Sequence, residues 1–416
     1  MTRRFKIKYI FFFLLFFLIH YLEGVNLGGM FSFAQIWKIP VLAFLIFYLI
    51  KKQIHQASFS KLTYWLSGVT FLNRDVLISP FGAFLFASKL LPFPLFFEYF
   101  NSLTRKYGKR LETILYSLAQ FVALSSLLTL TGLVVPLSNW QIAEGFGDDL
   151  FYYSSVFGNA HPASSYFCVA MFILLNGFKV RRYRTKSERF FNMGLIAICF
   201  VSILKAYVRT GWLMLIVGII CLFKPNKISQ KALRRFVMAV IVVFFGLLYL
   251  FQTNEDFRNR LAGQQVERAE SFTVETTGSG RMDFWKNGFE LWADGEWYEI
   301  LLGNGTVKVR ENNMAKVGLP IGSHNLFIDV LVEFGLIGFI LLMSYYYRLY
   351  RYINAPIRRN SSYRSLVNAT FYASIVFAFF QSVIYFIYAV FFALMLALHN
   401  YEGKLLKLKR DEAINS

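Results

Sequence analysis

The stretch SHNLFIDVLVEFGLIGF, residues 323–339, decides how the rest of the chain is read. It opens on a polar triplet, Ser323-His324-Asn325, and passes directly into an apolar run that continues to Tyr347. Before it lies the polar segment 253–323, and beyond that the chain is apolar on both sides. A histidine, Arg281 and a group of acids thus stand where a hydrophobic span emerges into water. Ionisable groups at such a boundary are costly and mark function. A multispanning chain with one large, chemically equipped loop reads as a membrane enzyme rather than a simple channel.

Composition agrees. The 416 residues are 56% hydrophobic and only 16% charged, with 48 Phe, far from a soluble globular average. Apolar runs recur from Ile7 to Leu398, and their lengths predict an all-α integral membrane protein of twelve spans. These lie near 7–22, 31–50, 62–78, 79–97, 111–136, 163–179, 190–204, 207–223, 236–252, 325–347, 366–381 and 383–398. The organisation expected is spans one to nine in 1–252, an extracytoplasmic loop with an amphipathic helix in 253–323, and spans ten to twelve with a cytoplasmic tail in 324–416. The pair 62–78 and 79–97 is interrupted by Asn73, Arg74 and Asp75. The basic, Phe-rich start RRFKIKYIFFFLLFFLIH lacks a small-residue cleavage site and reads as a retained first helix.

The net charge of +20 has a sided distribution. With a cytoplasmic N-terminus, the loops 51–61, 101–110, 179–189, 224–235, 348–364 and 403–410 share its side and together with it hold 31 of the 44 Lys and Arg. The opposite loops 23–30 and 137–162 hold none. This is the positive-inside pattern of a chain with both ends in the cytoplasm, and it argues against nucleic acid as a partner. Cys168, Cys199 and Cys221 fall inside spans and suggest neither a disulfide framework nor a metal site. No HExxH, Walker loop, GxSxG or CxxC array is present, and no cofactor is expected. GNGTVKVR lacks P-loop spacing and reads as a turn.

Within 253–323 there are eight basic and eleven acidic residues. RMDFWKNGFELWAD places Trp285, Phe289 and Trp292 at i, i+4 and i+7, a stripe suited to lying on the membrane face. TTGSGR supplies a turn that puts Arg281 at the start of that helix.

The ordered set VRTGWLMLIVGI (208–219), GSGRMDFW (278–285), LLGNG (301–305) and SHNLFIDVLVEFGLIG (323–338) resembles the O-antigen ligase and Wzy-type polymerase superfamily. The resemblance runs over about 160–345. It implies an inverting, metal-independent glycosyltransferase that takes a glycan from an undecaprenyl diphosphate carrier at the outer face of a bacterial inner membrane. The acceptor is another glycan or a glycolipid, the lipid bilayer is the working medium, and a chain-length regulator protein is a candidate partner.

The residue chemistry fits. A diphosphate leaving group needs fixed cations for the charge that develops as the glycosidic bond breaks, and Arg serves better than Lys through its planar paired donors. Arg209 and Arg281 are the expected cations. Lys205 stands four residues before Arg209, on the same face if one helix carries both; the plainer alternative is that these side chains snorkel to the interface. His324, with Ser323 positioned to cap the next helix, is the expected general base, because a helix N-terminus disfavours a charged imidazole. Asn325 is expected to orient a neighbour. Glu333 and Asp329 are expected as buried partners of the arginines, and Trp285 and His161 (in GNAHPASSYF) as substrate contacts. A polymerase adds chain to a second lipid-linked repeat; a ligase transfers it to lipid A core; the expectation favours polymerase. A flippase or transporter is the rival from another class, but it would spread charge along several spans and break helices with Gly and Pro at the midplane.

Overall fold

A computed structural model describes residues 3–23, 25, 33–72, 87, 90–135, 153–206, 208–223, 252–253, 266–268, 272–274, 281–318, 322–381 and 385–415. Spans 79–97 (save Ala87 and residues 90–97) and 236–252 (save Gln252), residues 73–78 with Asn73, Arg74 and Asp75, the acidic residues Glu144, Asp148 and Asp149 of loop 137–162, and the turn before Arg281 lie outside the described residues.

The described chain is helical apart from a two-stranded antiparallel hairpin, β1 (Val266–Arg268) and β2 (Phe272–Val274). The helices are α1 (Arg3–Leu22), α2 (Phe33–Lys51), α3 (Ser58–Val69), α4 (Pro92–Leu130), α5 (Ala160–Lys179), α6 (Lys186–Lys205) and α7 (Arg209–Phe223). They continue as α8 (Arg281–Ala293), α9 (Trp297–Leu302), α10 (Gly305–Val317), α11 (Leu326–Ile353), α12 (Arg364–Phe380) and α13 (Phe386–Asn415). Among the described residues, four helices are long and apolar enough to cross a membrane: Pro92–Leu130, Lys186–Lys205, Leu326–Ile353 and Phe386–Ala413. Ile7–Leu22, Arg209–Phe223 and Arg364–Phe380 are shorter apolar helices. Phe12, Phe47, Ile50 and Phe190 point outward, as expected where the surrounding medium is itself apolar.

The connection expected in 101–110 is tight: two helices, counted together as α4, meet at Tyr107 (φ −127°, ψ 19°), and Asn101 and Gly108 on its two sides both meet α13, at Asn400 and Tyr401. The tail 403–410 is helical, the continuation of α13, which packs along α4. Gly108 lies against the Tyr401 ring so closely that a Cβ would sit 2.6 Å from it. The turn expected in GNGTVKVR is confined to Gly303 and Asn304, after which α10 begins.

Helix α3 runs antiparallel to α11: Phe59 meets Tyr352 at 5.1 Å between ring centroids, while Leu66 reaches Gly338. The basic segments 51–61 and 348–353 therefore share one end of the bundle, and His324 stands at the other. Helices α5 and α7 run parallel. Gly211 abuts Ser164, Gly218 abuts Phe172, and a Cβ at either glycine would overlap its neighbour.

Helix α11 is broken inside. Gly335 has φ 65° and ψ −168°, and across from it Gly303 has φ 93° and ψ 164°, a region essentially reserved for glycine. The two backbones touch. A Cβ on Gly303 would lie 2.2 Å from the Glu333 carbonyl oxygen, and one on Gly335 would lie 2.3 Å from that of Leu301. The Asn304 N–H donates to the Val332 carbonyl at 2.7 Å. A break in a membrane helix frees backbone groups that need partners, and here the LLGNG segment supplies one of them.

Candidate active site

Four helix N-termini bring the site together. At α11, His324 precedes the helix with φ 53°, a left-handed conformation uncommon outside glycine. Two contacts hold it there. Asn325 is the N-cap, its Oδ1 accepting from the N–H of Phe327 (3.0 Å) and of Ile328 (3.3 Å), and Asp329 Oδ1 accepts from the Ser323 N–H at 2.7 Å. The cap expected of Ser323 thus belongs to Asn325, a stronger or equal capping residue at the position that actually borders the helix. Asp329, one turn in and buried, ties down the triplet.

The His324 ring faces Phe284 of α8 at 6.2 Å. Burial, and then the positive charge of Arg281, push its pKa down from 6.5 to about 4, so the ring is neutral near pH 7. Arg281 is the first residue of α8, its guanidinium 5.6 Å from the Phe380 ring. Trp285, one turn on, meets the same ring at 6.2 Å. Helix α8 turns Phe284, Asn287 and Gly288 inward, because Gly288 allows it to approach Ser323, Ile328 and Val332 of the α11 end. The stripe expected on the membrane face lies outside this packed face: Phe289 is exposed, with Trp292 beside it at 5.5 Å.

His161 lies in the first turn of α5, where the Asn159 side chain caps its N–H at 2.9 Å. Its Nδ1 is 2.9 Å from Nε2 of Gln381, just past the end of α12. Arg281 and His324 both act electrostatically on His161, so the three share one locality. Arg209 begins α7, and the parallel packing of α7 on α5 puts it at this same end.

Lys205 ends α6, with three residues between it and Arg209. The chain leaves helical geometry between α6 and α7, so Lys205 and Arg209 are not on one helix face; Lys205 is exposed at the end of α6, where its carbonyl accepts from the Tyr153 N–H. Glu333, buried, sits at the α11 break, about 13 Å along the helix from His324 on the usual rise per residue.

Several members were not legible in the sequence. Gln381 and Phe380 belong to the site only because α12 ends there. Buried polar atoms without a hydrogen-bond partner among the described residues gather in the same elements: Ser323 Oγ, Asn287 Nδ2, Trp285 Nε1 and, beside Arg209, Thr210 Oγ1. Buried polar groups are ordinarily paired, and such a set suits a ligand rich in hydroxyls. Positive ends of helix dipoles, with Arg281 and Arg209 added, suit its anionic part. Among the described residues no three His, Cys, Asp or Glu gather as a metal site would require.

Residues 194–343 match the family model described as O-antigen ligase. No curated protein matches the chain. The matched stretch begins in α6 and ends in α11, taking in Arg209, Arg281, the glycine pair and His324. The stretch from Gly194 to Met343 is therefore a domain of the O-antigen ligase family, in the superfamily of O-antigen ligases and Wzy-type polymerases.

Proposed function

We propose that the protein is a membrane glycosyltransferase that moves a glycan from an undecaprenyl diphosphate carrier to an acceptor hydroxyl at the outer face of the inner membrane. The observation that carries this reading is His324, fixed by its backbone turn and by Asn325 and Asp329 within electrostatic reach of Arg281, in the family-matched stretch. The acceptor oxygen attacks the anomeric carbon of the donor, the bond from that carbon to the diphosphate oxygen breaks, and the configuration inverts. The acceptor's proton goes to His324 as general base. The carrier leaves as its diphosphate, whose added charge Arg281, Arg209 and the helix N-termini stabilise. Trp285, Asn287 and Ser323 are assigned to the sugar hydroxyls, Asn325 to holding the His324 turn, and His161, with Gln381, to the rim. The reaction is assigned no metal.

The topology that goes with this reading has twelve spans, both termini cytoplasmic and residues 253–323 outside. Our first reading of the acceptor is a second lipid-linked repeat, which makes the protein a polymerase for a surface polysaccharide. Transfer to lipid A core, as a ligase, is the second reading, and the family match supports it equally. A deletion strain separates them: single repeats still attached to the core mean polymerase, no attached repeats mean ligase. Normal surface glycan in that strain would refute both.

A further inference from the structure

The opposite end of the bundle carries a pocket of about 380 Å³, whose wall includes His55, Lys61, Leu62, Trp65 and Arg348. It forms where the antiparallel α3 and α11 bring segment 51–61 against the C-terminal half of α11. It lies by the C-terminal end of α11, whereas His324 and Arg281 stand near Phe380, at the far end of α12.

The lining has a definite chemistry. Lys61 and Arg348 supply cations, and none of the lining residues is acidic. Lys61 and Trp65 are one turn apart on α3, and the Trp65 ring is 70% exposed. An indole presented outward beside basic groups is what the interfacial belt of a membrane protein offers to lipid. The wall is also fixed in place. Glu98 of α4 accepts from the Ala57 N–H (2.7 Å) and the Ser60 hydroxyl (2.7 Å), which ties down the turn entering α3.

We infer that the pocket formed by Lys61, Trp65 and Arg348 binds the phosphate headgroup of an anionic phospholipid in the leaflet opposite His324. The lipid phosphate sits between the two cations, and Leu62 and Trp65 flank the glycerol and upper acyl chains. Basic pockets between membrane helices recognise anionic headgroups in this way. A lipid, rather than free phosphate, is favoured because the wall also holds Leu62 and the outward-facing Trp65 indole, apolar groups that free phosphate would not use.

The test uses full-length protein in detergent, with bound lipid counted by native mass spectrometry on addition of phosphatidylglycerol, phosphatidylcholine or inorganic phosphate. Phosphatidylglycerol should be retained in preference to phosphatidylcholine, and inorganic phosphate should not displace it. Lys61→Gln should weaken retention about fivefold and the Lys61→Gln/Arg348→Gln pair about thirtyfold, while Lys61→Arg leaves it unchanged. Both side chains are exposed, so the single and the charge-keeping variants report even if the pair folds poorly. Equal retention of the two lipids, displacement by phosphate alone, or full retention in Lys61→Gln would overturn the inference. None of these outcomes depends on the reaction proposed for the other end.

Discussion

Replacing Gly335 with alanine strikes the contact that joins the loop helices to α11. The added methyl would stand 2.3 Å from the Leu301 carbonyl oxygen and 2.6 Å from the Gly303 nitrogen. Both are backbone atoms, so no rotamer change relieves the overlap. The residue would also have to hold φ 65°, ψ −168°, a strain of about 1–3 kcal/mol for any side chain. If the backbones part instead, the 2.7 Å bond from Asn304 N–H to the Val332 carbonyl is lost, leaving buried groups unpaired for about another 1–3 kcal/mol. The total is roughly 2–6 kcal/mol, a large share of ordinary stability. Gly303→Ala should cost a similar amount, and the double variant less than the sum, because the strain at each φ adds while the shared contact is lost only once. Unfolding followed by tryptophan fluorescence in detergent reads stability, and glycan transfer by the same samples reads the effect on placing Arg281 against His324. A Gly335→Ala protein with unchanged unfolding and full transfer would refute the interlock. Strictly additive losses would refute its being one shared contact.

Three further outcomes follow from the site. Arg281→Ala and Arg209→Ala should abolish transfer at normal membrane abundance, with Arg→Lys losing most activity where paired donors matter; full activity at matched expression, measured with a lipid-linked donor, would reduce both to packing roles. Because burial and Arg281 lower the His324 pKa to about 4, and a base must be neutral, kcat/KM should hold as pH falls through the ordinary 6.5 and drop only near 4. The bound diphosphate offsets Arg281, so the kcat profile should fall at higher pH than kcat/KM, and a kcat/KM titration near 6.5 would contradict the buried geometry. Cysteine introduced at Gly295 should be labelled from outside intact spheroplasts; labelling only after permeabilisation would overturn the proposed sidedness.

Much of the fold could be read from apolar runs, since α1, α2, α5, α6, α7, α11 and α12 lie within a few residues of expected spans. The runs misled where polar residues are also good helix formers, as in 403–410. The break between Lys205 and Arg209 had no signal, because the linking residues Ala206, Tyr207 and Val208 include neither Gly nor Pro. Arg281, His324 and His161 were legible by chemistry and by the boundary they occupy. Gln381, Asn287 and the pairing of Gly303 with Gly335 were not, because each depends on segments distant in sequence. A glycine that needs another glycine's backbone looks, in one sequence, like any turn.

The most direct test of the proposed chemistry is turnover by purified full-length protein on an undecaprenyl-diphosphate-linked oligosaccharide, with chelator present, for the wild type and His324→Ala. The wild type should form product with inversion at the anomeric carbon and be indifferent to chelation. His324→Ala should be slower by about a hundredfold or more, while binding the donor nearly as well. Wild-type turnover that stops on chelation, or a His324→Ala protein that turns over normally, would contradict the assignment of His324 as the base of a metal-independent transfer.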